Sequence, residues 1–492
     1  MLLSRKRIGA LVAAVVALMP LVAGGAEAAP IAPVLGLRSA SNYYEIRPYG
    51  DEPVYFDIGI YLEAREAPFE LLFTRPDYTQ PIQVAQILHD PLGSTESRPL
   101  PNAEAEWSGI PDFFDLEVRD AESQVVYSGT IDFCPGGFGR ERINDEGPIR
   151  SAYPEGCFTN PFTRGMVYGI DQNWAVNLFG YNAPYINISR GLYEATISVD
   201  PAYAEMFGFQ PEAASVSVDV KVKKPIRFDC DKCPRRARAQ REMARASQAV
   251  PTMDHPDPAI LPDLAALPAW GIYVDNRPEK SFLSFGATVW TDGASSMVVE
   301  GFRRTDIDVM DAYQYFYVDG EPVGRAQVGE MEFDERRGHE HWHFLQFARY
   351  SLLDESQAEI VISKKEAFCL APTDAIDLTV PNAVLNPGEI GLGTACGSRN
   401  SIWTRETLPL GWGDTYQQSL PGQSFNITEL PNGTYYIAVE ANPTGSLHEQ
   451  SDTNNVELRE IVLSGKLGNR KVTVPPWNGI DTETIFGPGK GF

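Results

Sequence analysis

Short segments rich in β-branched and aromatic residues recur along both halves of the chain. The clearest are residues 54–58, 215–222, 285–290, 312–318 and 435–439. Turn residues such as those at 318–320 (VDG) and 431–433 (PNG) separate them. Segments of this kind between Gly, Asn and Pro turns are typical of β-strands. The sequence therefore predicts an all-β fold, with a β-sandwich in the second half preceded by a separate β-rich N-terminal domain.

The first 29 residues resemble an export signal. A basic start at 1–7 is followed by an apolar run, Ile8 to Val22, and by the small-residue stretch 26–29. This order predicts a secretory signal peptide cut near Ala28 or Ala29. Because no later stretch offers about 18 consecutive apolar residues, we expect no membrane span and a secreted, extracellular protein.

The remaining chain is longer than one hydrophobic core usually organises, so two domains are expected. The clearest break is a basic stretch followed by prolines 251, 256 and 258, which disfavour a continuing helix. The predicted divisions are a signal peptide (1–29), an N-terminal domain of unassigned role (30–229), a linker (230–259), a catalytic domain (260–465) and a C-terminal tail (466–492). Arg235-Arg236 in the linker is a hypothetical processing site.

The chain is strongly acidic, with 41 basic and 66 acidic residues. This balance disfavours nucleic acid and anionic membranes as partners and favours cationic molecules or divalent metals. The alternative is that the charge only keeps the protein soluble.

Six cysteines in an exported chain favour three disulfides. Their order suggests local pairs, which are Cys134–Cys157, Cys230–Cys233 and Cys369–Cys396. Other pairings remain open. Cys230 and Cys233 could instead bind a metal or carry redox chemistry, but a second CxxC motif is missing, so a structural disulfide is the preferred interpretation.

Three of the six histidines are crowded into the stretch GHEHWHF at 338–344. A spacing of two places His339, His341 and His343 on one side of an extended segment. A flat strand would spread them too far to share one ion, so the segment should be bent, and three imidazoles suit copper or zinc. The alternatives are a solvent-exposed histidine ladder and a hydrolytic zinc site that recruits a further ligand such as His255 or His448.

Several motifs, in the same order along the chain, resemble the lysyl oxidase family. They are LPDL at 261–264, GHEHWHF at 338–344, YSLLD at 350–354, KEAFCL at 365–370, DTY at 414–416 and EQSDTNN at 449–455. They lie between residues 257 and 465 and leave the N-terminal half unmatched.

The resemblance implies a secreted copper-dependent amine oxidase that converts peptidyl lysine or other primary amines to aldehydes. Dioxygen would be consumed, and hydrogen peroxide and ammonia released. The family likeness assigns copper to His339, His341 and His343, and assigns a lysine tyrosylquinone cofactor to Lys365 and Tyr416. The four-residue offset from Cys369 selects Lys365 over Lys364. Asp414 is the candidate general base.

A calcium site is also implied, because hard oxygen ligands suit that ion. Its expected ligands are Asp263, the Leu264 carbonyl, Glu449, Asn454 and Asn455, and the alternative is a polar turn. Two departures from the family are visible. Ser451 stands where the family usually has an acid, with Asp452 one place on, and Arg349 replaces the histidine that precedes the tyrosine in animal members.

The alternative function is a secreted metal-binding β-sandwich interaction module without turnover. Lys365 and Tyr416 discriminate between the two interpretations, because a binding module needs neither residue.

Overall fold

The computed structural model describes residues 30–48, 53–157, 160–180, 183–225, 246–305, 307–336, 340–363, 367–480 and 482–483. Within these ranges the regular structure is almost entirely β-strand, joined by many turns and irregular segments, with one seven-residue α-helix, Pro201–Phe207. The all-β prediction is confirmed. The signal sequence at 1–29, Cys230, Cys233, Arg235 and Arg236 lie outside the described residues, so the predictions made on them stay predictions.

The N-terminal half contains four sheets built from fifteen strands in the described residues. The strands are β1 (Val34–Ser39), β2 (Tyr43–Ile46), β3 (Val54–Tyr55), β4 (Ile60–Arg65), β5 (Phe69–Thr74), β6 (Gln83–His89), β7 (Thr95–Pro99), β8 (Ile110–Asp120), β9 (Val125–Phe133), β10 (Arg140–Arg142), β11 (Gly165–Ile170), β12 (Trp174–Asn177), β13 (Tyr185–Ile186), β14 (Gly191–Val199) and β15 (Ser215–Val222). Their sheet orders are β1-β4-β12-β10, β11-β5-β6-β7, β13-β3 and β2-β15-β14-β8-β9.

Local chemistry explains where these elements start and stop. The predicted strand at 215–222 is β15, whose side chains alternate between a buried and a solvent side. The predicted strand at 54–58 is shorter, because the Asp57 carboxylate accepts the N–H of Gly59 (3.0 Å) and this local turn replaces the ladder after Tyr55. The helix begins after Asp200, which caps the Ala202 N–H (2.8 Å), and ends at Gly208 in the left-handed conformation.

The described residues of the C-terminal half form three sheets. Its strands are β16 (Pro262–Ala266), β17 (Trp270–Asn276), β18 (Ser281–Gly293), β19 (Met297–Arg303), β20 (Val309–Val318), β21 (Glu321–Asp334), β22 (His341–Leu345), β23 (Ala348–Leu353), β24 (Glu359–Ile362), β25 (Ala367–Phe368), β26 (Asp374–Ala375), β27 (Trp403–Leu408), β28 (Trp412–Tyr416), β29 (Ser424–Asn426), β30 (Gly433–Ala441), β31 (Val456–Lys466) and β32 (Asn469–Thr473). Two sheets follow the orders β25-β22-β21-β20-β19-β27 and β24-β23-β30-β31-β32. The third is β16-β18-β28-β26, with β17 and β29 paired to the long strand β18.

The sheet that contains β22 curls so that its two ends meet. The Leu370 carbonyl, just after β25, accepts the Thr407 N–H of β27 (3.3 Å). The predicted turn between β20 and β21 has positive φ at Asp319 (49°) and Gly320 (81°), as the tight hairpin turn requires. This curl brings the loop after β25 beside β27 and β28.

Two disulfides lie in the described part of the chain, Cys134–Cys157 and Cys369–Cys396. Both predicted pairs are confirmed. The same described residues include no helix long and apolar enough to cross a membrane.

The last part of the predicted linker lies against the C-terminal half. The N–H and hydroxyl of Ser247 both donate to the buried Glu300 carboxylate (2.8 and 2.6 Å), and the hydroxyl is 2.7 Å from the Tyr317 hydroxyl oxygen. Further on, the Met253 N–H donates to the Arg325 carbonyl of β21 (2.8 Å). Residues 246–253 therefore extend an edge of the sheet rather than hanging free.

The two halves share an interface. Buried apolar side chains from both form one continuous cluster. Trp477, near the end of the chain, packs on Tyr78 and Phe162 of the N-terminal half, with ring centroids 4.9 and 5.2 Å apart. The Asn386 side chain donates to the Ser151 and Tyr153 carbonyls (3.0 Å each). Apolar packing and hydrogen bonds therefore both join the two halves.

Candidate functional site

The last four residues of the histidine stretch, 341–344, lie on strand β22. His341 and His343 lie two residues apart on the same face, and their Nε2 atoms are 2.9 Å from each other. Two nitrogens bound to one ion, each at about 2.0–2.1 Å, lie about 3 Å apart when the nitrogen–metal–nitrogen angle is a right angle. The two Nε2 atoms therefore have the spacing of adjacent ligands. Just before the strand, Glu340 has a φ of 31°, which bends the chain. His339 lies outside the described residues.

A carboxylate orients the second of these imidazoles. Asp334 lies at the end of β21, opposite His341, and its Oδ2 is 3.6 Å from Nδ1 of the buried His343. Arg336 donates to the same carboxylate (2.6–3.0 Å). This contact, followed by weaker effects that include the charge of His343, holds the Asp334 pKa well below its usual range. A carboxylate at Nδ1 directs Nε2 toward a metal, as in many metal sites.

Tyr416 is positioned close to this strand. Phe344 of β22 pairs with Phe368 of β25, whose ring centroid is 4.9 Å from that of Tyr416. The Cys369 N–H donates to the Tyr416 hydroxyl oxygen (3.1 Å), and the hydroxyl donates to the Cys369 carbonyl (3.2 Å). Cys369 is in turn fixed by its disulfide to Cys396. The phenol is thus held by the segment that follows Lys365, although Lys365 itself lies outside the described residues.

Acidic side chains surround the phenol. Asp414 is two residues earlier on the regular strand β28 and therefore lies on the same face as Tyr416. Burial, and then the nearby Asp414, Tyr350 and Glu406, raise the Tyr416 pKa well above its usual value. Asp414 is itself almost fully buried, at 3% exposure. The free phenol therefore stays protonated at neutral pH unless a cation compensates the charge of a phenolate.

Glu406 is a site residue that the sequence did not reveal. It is fully buried on β27 and accepts the Leu370 N–H (3.0 Å). Burial raises the Glu406 pKa well above its usual value. The hydrogen bond from Leu370 lowers this pKa, and the nearby Asp414 raises it further. Nothing in the local pattern of β27 distinguishes Glu406. Only the curl of the sheet brings it next to Tyr416.

The described residues contain one cluster of three side chains within 4.8 Å that could hold a metal, Cys369, Cys396 and Glu406. The two sulfurs are bonded to each other, so this cluster is not a metal site. His341 and His343, with His339 outside the described ranges, remain the better candidates for a soft or borderline ion.

The residues expected to bind calcium come together at a second place. The Glu449 carboxylate accepts the Leu264 N–H (3.2 Å) and the Asn455 amide (2.7 Å), while Asp263 accepts the Asn454 amide (2.9 Å). Burial is the main cause that raises the Glu449 pKa, and Asp263 contributes to it. Two segments far apart in sequence, 263–264 and 449–455, thus place carboxylates and amides in one cluster.

Two acceptors in this cluster have no hydrogen-bond partner. They are the buried Oδ1 atoms of Asn454 and Asn455. An unpartnered buried acceptor beside two carboxylates is a feature that a hard cation would satisfy. Ser451 donates its N–H to Asp263 (2.8 Å), whereas Asp452 is exposed. The donor set therefore fits calcium without Asp452.

The remaining histidines of interest lie beside this second cluster. His255 and His448 line one cavity together with Glu449 and Asp452. Burial, and then the neighbouring His255, lower the His448 pKa.

Arg349, where a histidine was expected from the resemblance to animal members, makes an ion pair with Glu359 (2.5 Å) and another with Glu440 (3.4 Å). These contacts lie across β24, β23 and β30.

Comparison with known proteins agrees with the motifs. The family model described as lysyl oxidase matches residues 320–472. This range contains the histidine stretch, Lys365, Tyr416 and the 449–455 loop, whereas Asp263 and Leu264 precede it.

Vertebrate relatives also match part of the chain. The chain is 28% identical to lysyl oxidase homolog 2 of Bos taurus over 194 residues, which are 37% of this chain and 22% of that protein. It is 26% identical to lysyl oxidase homolog 2 of Xenopus tropicalis over 208 residues, which are 40% of this chain and 24% of that protein. It is 25% identical to lysyl oxidase homolog 2 of Gallus gallus over 168 residues, which are 34% of this chain and 19% of that protein. The match thus spans less than a quarter of the length of each relative. The family that both comparisons identify, over part of this chain, is the lysyl oxidase family.

Proposed function

We propose that the C-terminal domain is a copper-dependent amine oxidase of the lysyl oxidase type. It would convert a primary amine, dioxygen and water to an aldehyde, ammonia and hydrogen peroxide. The observation that carries the proposal is the pair of Nε2 atoms 2.9 Å apart on β22, one strand away from the segment that holds the Tyr416 hydroxyl. A binding module would need no tyrosine held at this position.

In this proposal His339, His341 and His343 hold copper, and Lys365 and Tyr416 are joined as lysine tyrosylquinone. Copper would supply the charge that favours an ionised phenol and the electron transfer to dioxygen, and the quinone would supply an electrophile for the amine. The protein's own part is positioning. The Asp334 carboxylate, 3.6 Å from Nδ1 of His343, favours an orientation in which Nε2 is presented to the ion.

The acidic groups around Tyr416 have distinct roles in this proposal. Asp414 shares the face of Tyr416 and is the proposed general base that removes the α-proton of the amine. Glu406 is more deeply buried, and its raised pKa favours the neutral carboxyl group. Since two ionised carboxylates near each other are unfavourable, a neutral Glu406 lets Asp414 carry the negative charge.

Calcium, in the same proposal, binds Asp263, the Leu264 carbonyl, Glu449, Asn454 and Asn455. Its role is structural, because these residues join β16 to the loop before β31. The domain limits given from the sequence, with a catalytic domain at 260–465, are kept as part of the proposal. The extra strand Asn469–Thr473 pairs with β31 beyond that limit.

The proposed substrates are peptidyl lysine or other primary amines. A net charge of −25 favours cationic molecules over nucleic acid through long-range attraction. The signal peptide predicted at 1–29 would make the protein a secreted one, in which disulfides such as Cys134–Cys157 persist.

The test is mass spectrometry of digested protein after copper loading in air. A cross-linked peptide pair that contains Lys365 and Tyr416 is expected in the wild type and in the matched control Lys364→Arg, and is expected to disappear in Lys365→Arg and Tyr416→Phe. Metal analysis in parallel should find copper in all four proteins. Separate unmodified peptides in copper-loaded wild type would favour the binding module, and zinc in preference to copper would favour a hydrolase.

A further inference from the structure

A buried loop of the N-terminal half reaches the sheet that carries Tyr416. Asn160 and Thr163 are polar but only 1% and 0% exposed. The Thr163 hydroxyl donates to the Ala375 carbonyl of β26 (2.8 Å), and the Arg164 N–H donates to the Ile376 carbonyl (2.7 Å). Gly165 continues as a parallel bridge to Asp377. The loop Asn160–Gly165 thus lengthens the β16-β18-β28-β26 sheet at the end of β26.

The approach is too close for any larger residue at Gly165. A Cβ added there would lie 2.4 Å from the Asp377 carboxylate and 2.6 Å from the Thr379 side chain. The Asp377 and Thr379 side chains therefore pack directly against the Gly165 backbone, and the loop position is closely specified.

The Asn160 side chain is aimed at the strand of the proposed cofactor tyrosine. Its oxygen accepts the Phe162 N–H (2.9 Å), which fixes the amide so that Nδ2 faces the Thr288 and Thr415 hydroxyl oxygens (3.4 Å each). These two hydroxyls are 2.7 Å apart. Thr415 is the residue immediately before Tyr416.

The network continues behind the strand. Thr415 hydrogen-bonds through its side chain to the buried Asp374 carboxylate, which also accepts the Thr373 hydroxyl (2.9 Å). The Thr415 N–H donates to that same Thr373 hydroxyl (2.7 Å). Because alternate residues of a strand face opposite sides, the network holds β28 from the side opposite to Asp414 and Tyr416.

We propose that the N-terminal half is a positioning element for the catalytic domain, in which the loop Asn160–Gly165 anchors β28 and thereby fixes Tyr416. The consequence for catalysis rests on the proposed function, whereas the anchoring itself does not. Reacting groups that are displaced by about 1 Å react up to about a hundredfold more slowly, so an anchor on this strand matters for the joining of Tyr416 to Lys365.

The first test is hydrogen exchange of the full-length protein without added copper. Asn160→Ala and Thr163→Val should speed exchange of the 412–416 amides about fivefold, the effect of losing one buried hydrogen bond, and leave 433–441 of β30 unchanged. Thr163→Ser keeps the hydroxyl and should restore the wild-type rate. Asn102→Ala, an exposed amide of the same half, is the matched control.

Unchanged exchange of 412–416 in folded Asn160→Ala and Thr163→Val would overturn the proposal. Equal acceleration in 433–441 would also overturn it, since the loop would then stabilise the whole domain rather than this strand. Cross-link formation in copper-loaded protein adds a second readout, where we expect rates at least about tenfold lower in both variants. A wild type that forms no cross-link would refute the proposed function, while the exchange comparison would still decide the anchoring.

Discussion

Asp374 is a buried acid whose titration should control stability. It lies on β26, with 8% exposure, and accepts hydrogen bonds from the side chains of Thr373 and Thr415. Burial, which outweighs these two hydrogen bonds, raises its pKa from 3.8 to about 6. The substitution Asp374→Asn keeps the shape of the side chain and removes the titration.

The magnitude follows from the linkage between proton binding and folding. Between pH 3.8 and about 6, the folded protein keeps the Asp374 proton and the unfolded chain loses it. The stability that this group contributes is fully present below the lower value and is lost as the pH rises through the upper one. Each pH unit in this window corresponds to about 1.4 kcal/mol, so the loss is about 3 kcal/mol.

The assay is urea unfolding of wild type and Asp374→Asn at pH values from 3.5 to 7.5. Other acids titrate in both proteins, so the difference between the two stabilities isolates Asp374. This difference should move by about 3 kcal/mol in favour of the variant as the pH rises through the window. The exposed turn residue Asp319, changed to Asn, provides a control that should run parallel to wild type. If the stability of Asp374→Asn also followed that of wild type in parallel across this pH range, the reasoning would be refuted.

Three further changes test other parts of the structure. Asp334→Asn should lower copper affinity about 10- to 100-fold in competition with a chelator, because His343 loses its orienting carboxylate, and an unchanged affinity would contradict this. Glu449→Gln should abolish the rise in melting temperature that calcium gives the wild type; a rise of equal size would show that calcium, if bound, binds elsewhere. Replacing Cys134 and Cys157 together by Ser should lower the free energy of unfolding by about 3 kcal/mol in chemical denaturation, and a loss below about 1 kcal/mol would argue against the bond.

The fold class and the family were predictable because they depend on local patterns. Strands such as Ser215–Val222 show the period of two that a half-buried strand requires, and the histidine spacing shows it again on β22. The pairing of neighbouring cysteines could be inferred for the same reason, since Cys369 and Cys396 are close in sequence.

The environment of the site could not be read from the sequence, because it depends on which strands lie side by side. Glu406 meets Tyr416 only because the sheet curls from β25 round to β27. Asp334 is five residues before His339, and its role becomes visible only when the register of β21 and β22 is known. The contact of Asn160 with Thr415 joins residues 255 positions apart, which no local pattern encodes.

The interface between the halves has a consequence for any processing of the chain. Each of the two disulfides in the described residues lies within one half, so no such bond links the halves, whereas the loop Asn160–Gly165 and Trp477 connect them without covalent bonds. A protease that cut at Arg235-Arg236 would therefore yield two fragments that remain associated. Such a nicked protein would elute from a sizing column like the intact chain and separate into two bands only on a denaturing gel. Maturation by cleavage would thus leave strand β28 supported.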